Sequence, residues 1–139
     1  MIDLDRFKSV NDTYGHAMGD AVLRNVGKLL TQTVRATDRA CRFGGEELAV
    51  VLPHTPESGG VVMAERIRVA IEACEHVLDD AQLKCTASFG VSSTRGGKSS
   101  IEELISTADK ALYVAKSGGR NRVVAASESK ELEMASGEH

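Results

Sequence analysis

Residues 39–52 read Arg39-Ala40-Cys41-Arg42-Phe43-Gly44-Gly45-Glu46-Glu47-Leu48-Ala49-Val50-Val51-Leu52, two short runs suited to strands with adjacent glycines and two acids between them. Adjacent glycines are the usual chemistry of a hairpin turn that needs positive φ, and without side chains they leave room for a bulky ligand against the backbone. The spacing predicts strands over 39–43 and 47–52, the second closed by Pro53, with Glu46 and Glu47 at the hairpin mouth. Taken alone, such a stretch is more often a plain turn followed by solvated glutamates. The surrounding chain decides between the two.

Upstream, residues 1–4 read as the end of a strand and 5–19 as a polar loop. A helix is expected over 20–35, where Val22, Val26, Leu29, Leu30 and Val34 recur at helical spacing and Asp20 serves as N-cap or first-turn acid. Downstream, a second helix is expected over 57–75 on Val62, Ile67, Ile71 and Cys74. The alternation Leu83, Cys85, Ala87, Phe89, Val91 predicts one long half-buried strand over 83–94. A third helix over 101–116 stops at Gly118-Gly119, and a short strand follows over 121–125. Residues 127–139, rich in Ser, Glu and Lys, have little to bury and read as a disordered tail, which leaves 1–126 as one folded domain.

Strand, helix, strand, strand, helix, strand is the ferredoxin-like βαββαβ plan of the α+β class, here with a helix and a strand appended. In that plan the first strand lies antiparallel to the third, so Asp3 and Glu46 converge at one end of the sheet. Paired carboxylates with room beside them suit Mg²⁺-assisted phosphoryl or nucleotidyl transfer, because hard cations take oxygen ligands and keep positions open for substrate oxygens.

The 139 residues carry a formal charge of −3 with few aromatics, which argues against a broad basic face for nucleic acid. No apolar run is long enough to span a bilayer, and no signal peptide precedes the first motif. Three cysteines, Cys41, Cys74 and Cys85, without a Cys-x-x-Cys pair, point to a reducing cytosolic compartment. His16 has no second metal ligand at useful spacing and reads as a loop-packing residue.

Five groups of motifs occur together: Asp3-Leu4-Asp5-Arg6-Phe7-Lys8 with Asn11-Asp12, Gly15-His16 and Gly19-Asp20; the Gly-Gly-Glu-Glu-Leu hairpin; Ser88-Phe89-Gly90-Val91; Ala108-Asp109-Lys110-Ala111-Leu112-Tyr113; and Lys116-Ser117-Gly118-Gly119-Arg120-Asn121. In this order, from Met1 to about Val124, they resemble the GGDEF-type diguanylate cyclases, whose fold is of the nucleotidyl-cyclase and polymerase-palm kind. The resemblance implies condensation of two GTP into cyclic di-GMP with release of two pyrophosphates, by a homodimer in which each subunit holds one GTP.

The resemblance makes Asp3, Glu46 and the backbone carbonyl of Leu4 the ligands of two Mg²⁺ or Mn²⁺ ions, and has Glu47 orient or deprotonate the attacking 3′-hydroxyl. It assigns guanine to Asn11 and Asp20; a carboxylate accepts from N1–H and the 2-amino group, a pattern adenine lacks. It places the phosphates on Lys116, Arg120 and the backbone N–H groups near Arg6 and Phe7, and the substrate against Gly44 and Gly45. Arg35-x-x-Asp38, with five residues between Asp38 and Gly44, matches the family's product-inhibition site, with Arg66 as a secondary arginine. Asp5 is open between support for the metal ligands and a loop cap. On the residues alone, Asp3 is a solvated strand-end acid, Asn11 a turn residue, Asp20 an N-cap, and Arg35 with Asp38 a local ion pair.

The sequence departs from the family at Leu48, where phenylalanine is more usual. It also begins inside the expected first strand, without the helical segment and Leu-Thr-Gly-Leu-like motif that normally precede it, so a loss of stability is expected. An upstream sensory or receiver domain is expected in the full-length protein, with this segment cytoplasmic, either free or as the cytoplasmic part of a membrane-anchored protein. The competing expectations are a non-catalytic receptor or regulatory module that binds GTP or cyclic di-GMP, and a ferredoxin-like interaction module that has lost both ligands.

Overall fold

The computed structural model describes residues 1–137. Strand β1 (Ile2–Leu4) leads into helices α1 (Phe7–Tyr14) and α2 (His16–Thr33). The hairpin β2 (Arg39–Arg42) and β3 (Glu47–Val51) follows, then α3 (Glu57–Ala73) and a second hairpin, β4 (Glu75–Leu78) and β5 (Ala81–Lys84). The chain ends with β6 (Ala87–Val91), α4 (Ile101–Ser117), β7 (Val123–Ala125) and α5 (Ala126–Gly137).

The main sheet has the order β2-β3-β1-β6-β7. Its neighbours are antiparallel except β6 and β7, which run parallel. With β4 and β5 set aside, this is the ferredoxin-like α+β plan with α4 and β7 appended, as expected.

Spacing explains which helix covers which face. Met18, Val22, Val26 and Leu30, one turn apart, form the buried stripe of α2, and Met63, Ile67 and Ile71 form that of α3. Both stripes meet Ile2, Leu4, Leu48 and Phe89 in one core. The opposite face of β6 takes α4, whose small residues Ala108, Ala111 and Ala115 allow close packing. Gly90 is required there, since a Cβ would stand 2.0 Å from the carbonyl oxygen of Ala108.

Several expectations need correction. The loop over 5–19 contains α1, because Phe7 and Val10 share a buried face, and α2 begins at His16 after Gly15. Asp20 therefore lies within α2 and is not its N-cap. The strand expected over 83–94 is two strands in two sheets. Ala81–Lys84 pairs with β4 in a small sheet on α2, and only Ala87–Val91 enters the main sheet. Leu83, Cys85, Ala87 and Phe89 keep their alternation across the break, so the period does not reveal it. The tail expected to be disordered from 127 is helical through Gly137, anchored by buried Ala126 and Ser129 and by packing of α5 on α4; residues 138 and 139 lie outside the described residues.

Candidate active site

The ends of β1 and β3 form the base of the site. Asp3 pairs with Glu47 across the ladder, and the Leu4 amide donates to the carbonyl of Glu46 at 3.2 Å, which fixes Glu46 beside the end of β1. Asp3 is 5% exposed. Burial raises its carboxyl above the usual carboxylate range; Lys116 opposes this by hydrogen bond and charge, while Glu46 and Asp5 add to it. The Lys116 ammonium donates to Asp3 Oδ2 at 2.5 Å. Three neighbouring acids with one lysine make a strongly electronegative corner.

Asp5 is held by three hydrogen bonds. Its carboxylate accepts from Thr86 Oγ1 at 2.7 Å, Ser88 Oγ at 2.6 Å and the Asn121 amide at 3.0 Å. Asn121 has φ 46°, and its side chain accepts from Arg68 Nη1 at 2.9 Å and donates to Glu72. Asp5 thus ties the end of β1 to β6 and to the turn after α4, which carries Arg120 and follows Lys116 in the last turn of that helix. Arg120, exposed and in a left-handed conformation at φ 64°, donates its backbone N–H to Ala115 O at 3.0 Å.

Beside this corner lies an open cleft of about 430 Å³. Asn11 and Asp20 line it from α1 and α2; Arg42, Gly45 and Glu46 line it from the hairpin. Gly19 leaves room for the Asn11 side chain, since a Cβ there would stand 2.0 Å from Asn11 Oδ1. Phe7 and Lys8, from the first turn of α1, also border the cleft. That helix starts from Arg6 at φ 55° and has no side-chain N-cap, which leaves first-turn N–H groups for an anion. Leu4 closes β1 with its side chain in the core.

The hairpin differs from expectation in detail. Neither Gly44 nor Gly45 has positive φ. The turn is held by Phe43 and Gly44 amides donating to Glu47 O at 2.8 and 3.1 Å, and by Arg42, whose guanidinium donates to the carbonyls of Gly44 and Gly45. A Cβ at Gly45 would meet nothing within 4 Å, so no protein group requires glycine there. Arg42 was not legible as a site residue, since its partners are carbonyls of a turn whose shape the sequence does not state. His16 also departs from expectation, being an exposed first residue of α2 on the cleft wall.

Arg35 and Asp38 lie at the end of β2 remote from the glycine turn. Arg35 donates through Nε and Nη2 to Asp38 at 3.1 Å each, through its amide at 2.8 Å, and through Nη2 to Thr55 Oγ1 at 2.6 Å. The guanidinium holds the Asp38 carboxyl below the usual range. Arg66 is exposed further along α3.

No cluster of three or more His, Cys, Asp or Glu side chains suited to a metal occurs among the described residues. The expected ligands, the Asp3 and Glu46 carboxylates with the Leu4 carbonyl, would be hard oxygens of the kind that suits a divalent cation sharing its remaining positions with phosphate. The raised Asp3 carboxyl, beside the charges of Glu46 and Asp5, fits a place where added positive charge is favourable.

The family model described as "Diguanylate cyclase, GGDEF domain" matches residues 1–122. Diguanylate cyclase A of Treponema denticola is 46% identical over 123 residues, covering 88% of this chain and 33% of that protein. The response regulator PleD of Caulobacter vibrioides is 43% identical over 126 residues, covering 89% of this chain and 28% of that protein. The chain thus spans a third or less of the length of these relatives. Among solved structures, the GGDEF domain of DgcB from Caulobacter crescentus in complex with c-di-GMP superposes with a TM-score of 0.83 at 35% identity, covering 91% of this chain and 75% of that one. The active GGEEF domain of a diguanylate cyclase from Vibrio cholerae gives 0.81 at 35% identity, covering 89% of this chain and 78% of that one.

Proposed function

The chain belongs to the GGDEF diguanylate cyclase family, and from that premise we propose that it condenses two GTP into cyclic di-GMP and two pyrophosphates, as a homodimer with one GTP per subunit. The observation that carries the reading is the Asp3–Lys116 pair beside Glu46, which itself lines a cleft walled by Asn11 and Asp20.

Guanine enters the cleft, with Asp20 accepting from its N1–H and 2-amino groups and Asn11 meeting the remaining edge. The ribose and triphosphate lie along the glycine turn, in the space left open at Gly45. The β- and γ-phosphates meet the first-turn N–H groups of α1 near Arg6 and Phe7, and the cations Lys116 and Arg120. Asp3, Glu46 and the Leu4 carbonyl would hold two divalent ions, which when bound neutralise triphosphate charge and make the α-phosphorus easier to attack. Lys116 neutralises Asp3 in the resting site and turns to phosphate when substrate arrives. Glu47 orients the 3′-hydroxyl of the partner's nucleotide or takes its proton.

Product control rests on Arg35 and Asp38, with Arg66 of the same or the neighbouring subunit. The full-length protein adds a sensory or receiver domain that sets dimer geometry, and the segment works in the cytoplasm. No helix among the described residues is long and apolar enough to cross a membrane.

Incubation of the purified chain with GTP and Mg²⁺, followed by chromatography, tests the reading. Cyclic di-GMP and pyrophosphate are the expected products. GTP bound but recovered unchanged would replace the cyclase with the receptor reading.

A further inference from the structure

Cys74, the extended C-cap of α3, and Cys85 are the residues that flank the open end of the β4–β5 hairpin. The ladder runs Leu78↔Ala81, Val77↔Gln82, His76↔Leu83, Glu75↔Lys84, and one further step in the same register sets Cys74 opposite Cys85. Side chains alternate between faces, so both cysteines share the side of His76 and Leu83. That side faces inward, since His76 is fully buried and Cys85 is buried too. Directly opposed residues of an antiparallel pair have Cα atoms about 4.5–5.5 Å apart, within the ~4.4–6.8 Å that a disulfide spans. All three cysteines are free thiols.

We propose that Cys74 and Cys85 are a site of reversible thiol oxidation, closing to an intramolecular disulfide when a hydroperoxide is present. The two thiols differ in the way such a pair needs. Cys74, at the C-cap of α3, is partly exposed and can meet the oxidant. Cys85 is shielded, and burial pushes its thiol up to about 11, with the neighbouring Cys74 and Asp5 adding to the rise. It is inert until a sulfur electrophile forms beside it.

His76 completes the arrangement, with Nε2 at 3.6 Å from Cys85 Sγ and Nδ1 at 3.0 Å from Asn25 Nδ2. With the amide nitrogen of Asn25 donating to Nδ1, the ring proton sits on Nε2 and faces the sulfur, where it supports developing thiolate character. None of these residues has a part in the proposed nucleotide chemistry.

The chemistry balances with the hydroperoxide as sole oxidant. The Cys74 sulfur attacks one peroxide oxygen and the O–O bond breaks; with hydrogen peroxide this gives a sulfenic acid and one water. The Cys85 sulfur then attacks the Cys74 sulfur. The S–O bond breaks as the S–S bond forms, and the Cys85 proton leaves with the hydroxide as a second water. Two thiols are oxidised and one peroxide is reduced. The bond would tie the C-terminus of α3 to the start of β6, one residue before Thr86, which holds Asp5.

Treatment of the purified chain with a small excess of hydrogen peroxide, then alkylation and peptide mapping, tests this. The expected result is a monomer lighter by two hydrogens, carrying a Cys74–Cys85 cross-link that dithiothreitol removes. The same link persists in Cys41→Ser, and in Cys74→Ser it is lost while Cys85 stays fully alkylatable after denaturation. Recovery of Cys74 and Cys85 as free thiols while exposed Cys41 is oxidised would overturn the proposal. So would Cys74 driven to sulfinic acid with Cys85 still free.

Discussion

Asp3 is raised by its own burial and by the charges of Glu46 and Asp5, and relieved by Lys116. A site so arranged loses much of its electrostatic purpose when Glu46 is neutralised. Glu46→Ala should lower cyclic di-GMP formation by about 10²-fold or more, since charge stabilisation of the transferring phosphate is the largest contribution such sites make. Glu46 lies in the turn and only partly buried, so the variant should keep a cooperative thermal transition by circular dichroism. Product formation near the parental rate would sink the assignment. Asp20→Ala should weaken GTP binding by about 1–3 kcal/mol, by loss of a charged acceptor, and reduce the rejection of ATP. Equal GTP affinities by calorimetry would contradict it. The convergence of Asp3 and Glu46 was legible because strand adjacency follows from element order. The work of Asp5 was not, because its donors Thr86, Ser88 and Asn121 lie far away in sequence and reach it only through β6 and the turn after α4.

At the scale of elements, periodicity found α2, α3 and α4 because each buries a stripe at helical spacing. It missed the β5–β6 break because both strands bury the same parity of residues. The hairpin that results is turned by Asp79-Asp80, with Asp79 at φ 53°, and not by a glycine pair that would have announced it. Glycine signals close approach more reliably than turn type here. Gly90→Ala should destabilise the fold by roughly 1–3 kcal/mol or more, because the neighbour is backbone of α4, which must move as a unit. Denaturant titration showing parental stability would refute the stated contact. The β4–β5 hairpin also gives the fold a pH response. Burial lowers the His76 ring below the usual histidine range, so below about pH 6.5 the unfolded chain binds a proton there that the folded chain does not. The resulting stability is full above that pH and is lost as pH falls from it toward the lowered folded value. In denaturant titrations across this window, His76→Gln should show a shallower pH dependence than the parent. Parallel curves would exclude His76 as the source.

For the whole molecule, the relation between the catalytic corner and the Arg35–Asp38 turn is set by the β2–β3 hairpin, which holds them at its opposite ends. On the proposed reading, a ligand at Arg35 would therefore not compete directly with GTP at the glycine turn. On that reading its effect would pass through the arrangement of two subunits, with bound product keeping the GTP-bearing faces apart. In the resting protein Asp38 and Thr55 both take the Arg35 guanidinium, so a guanine or phosphate of cyclic di-GMP must share or displace those partners. Asp38, kept ionised by Arg35, remains an acceptor for guanine N–H groups. Arg35→Ala removes a charge-assisted contact and should raise the product concentration for half-inhibition by about ten-fold or more, with a matching loss in calorimetric cyclic di-GMP affinity, since binding and inhibition are linked. The initial rate, taken before product accumulates, separates the two roles the geometry allows. If it holds while inhibition weakens, the pair acts on assembly. If binding and inhibition stay parental, Arg35 and Asp38 only close the turn between α2 and β2; if the initial rate collapses as well, that turn is needed to seat the hairpin and the two ends cannot be uncoupled.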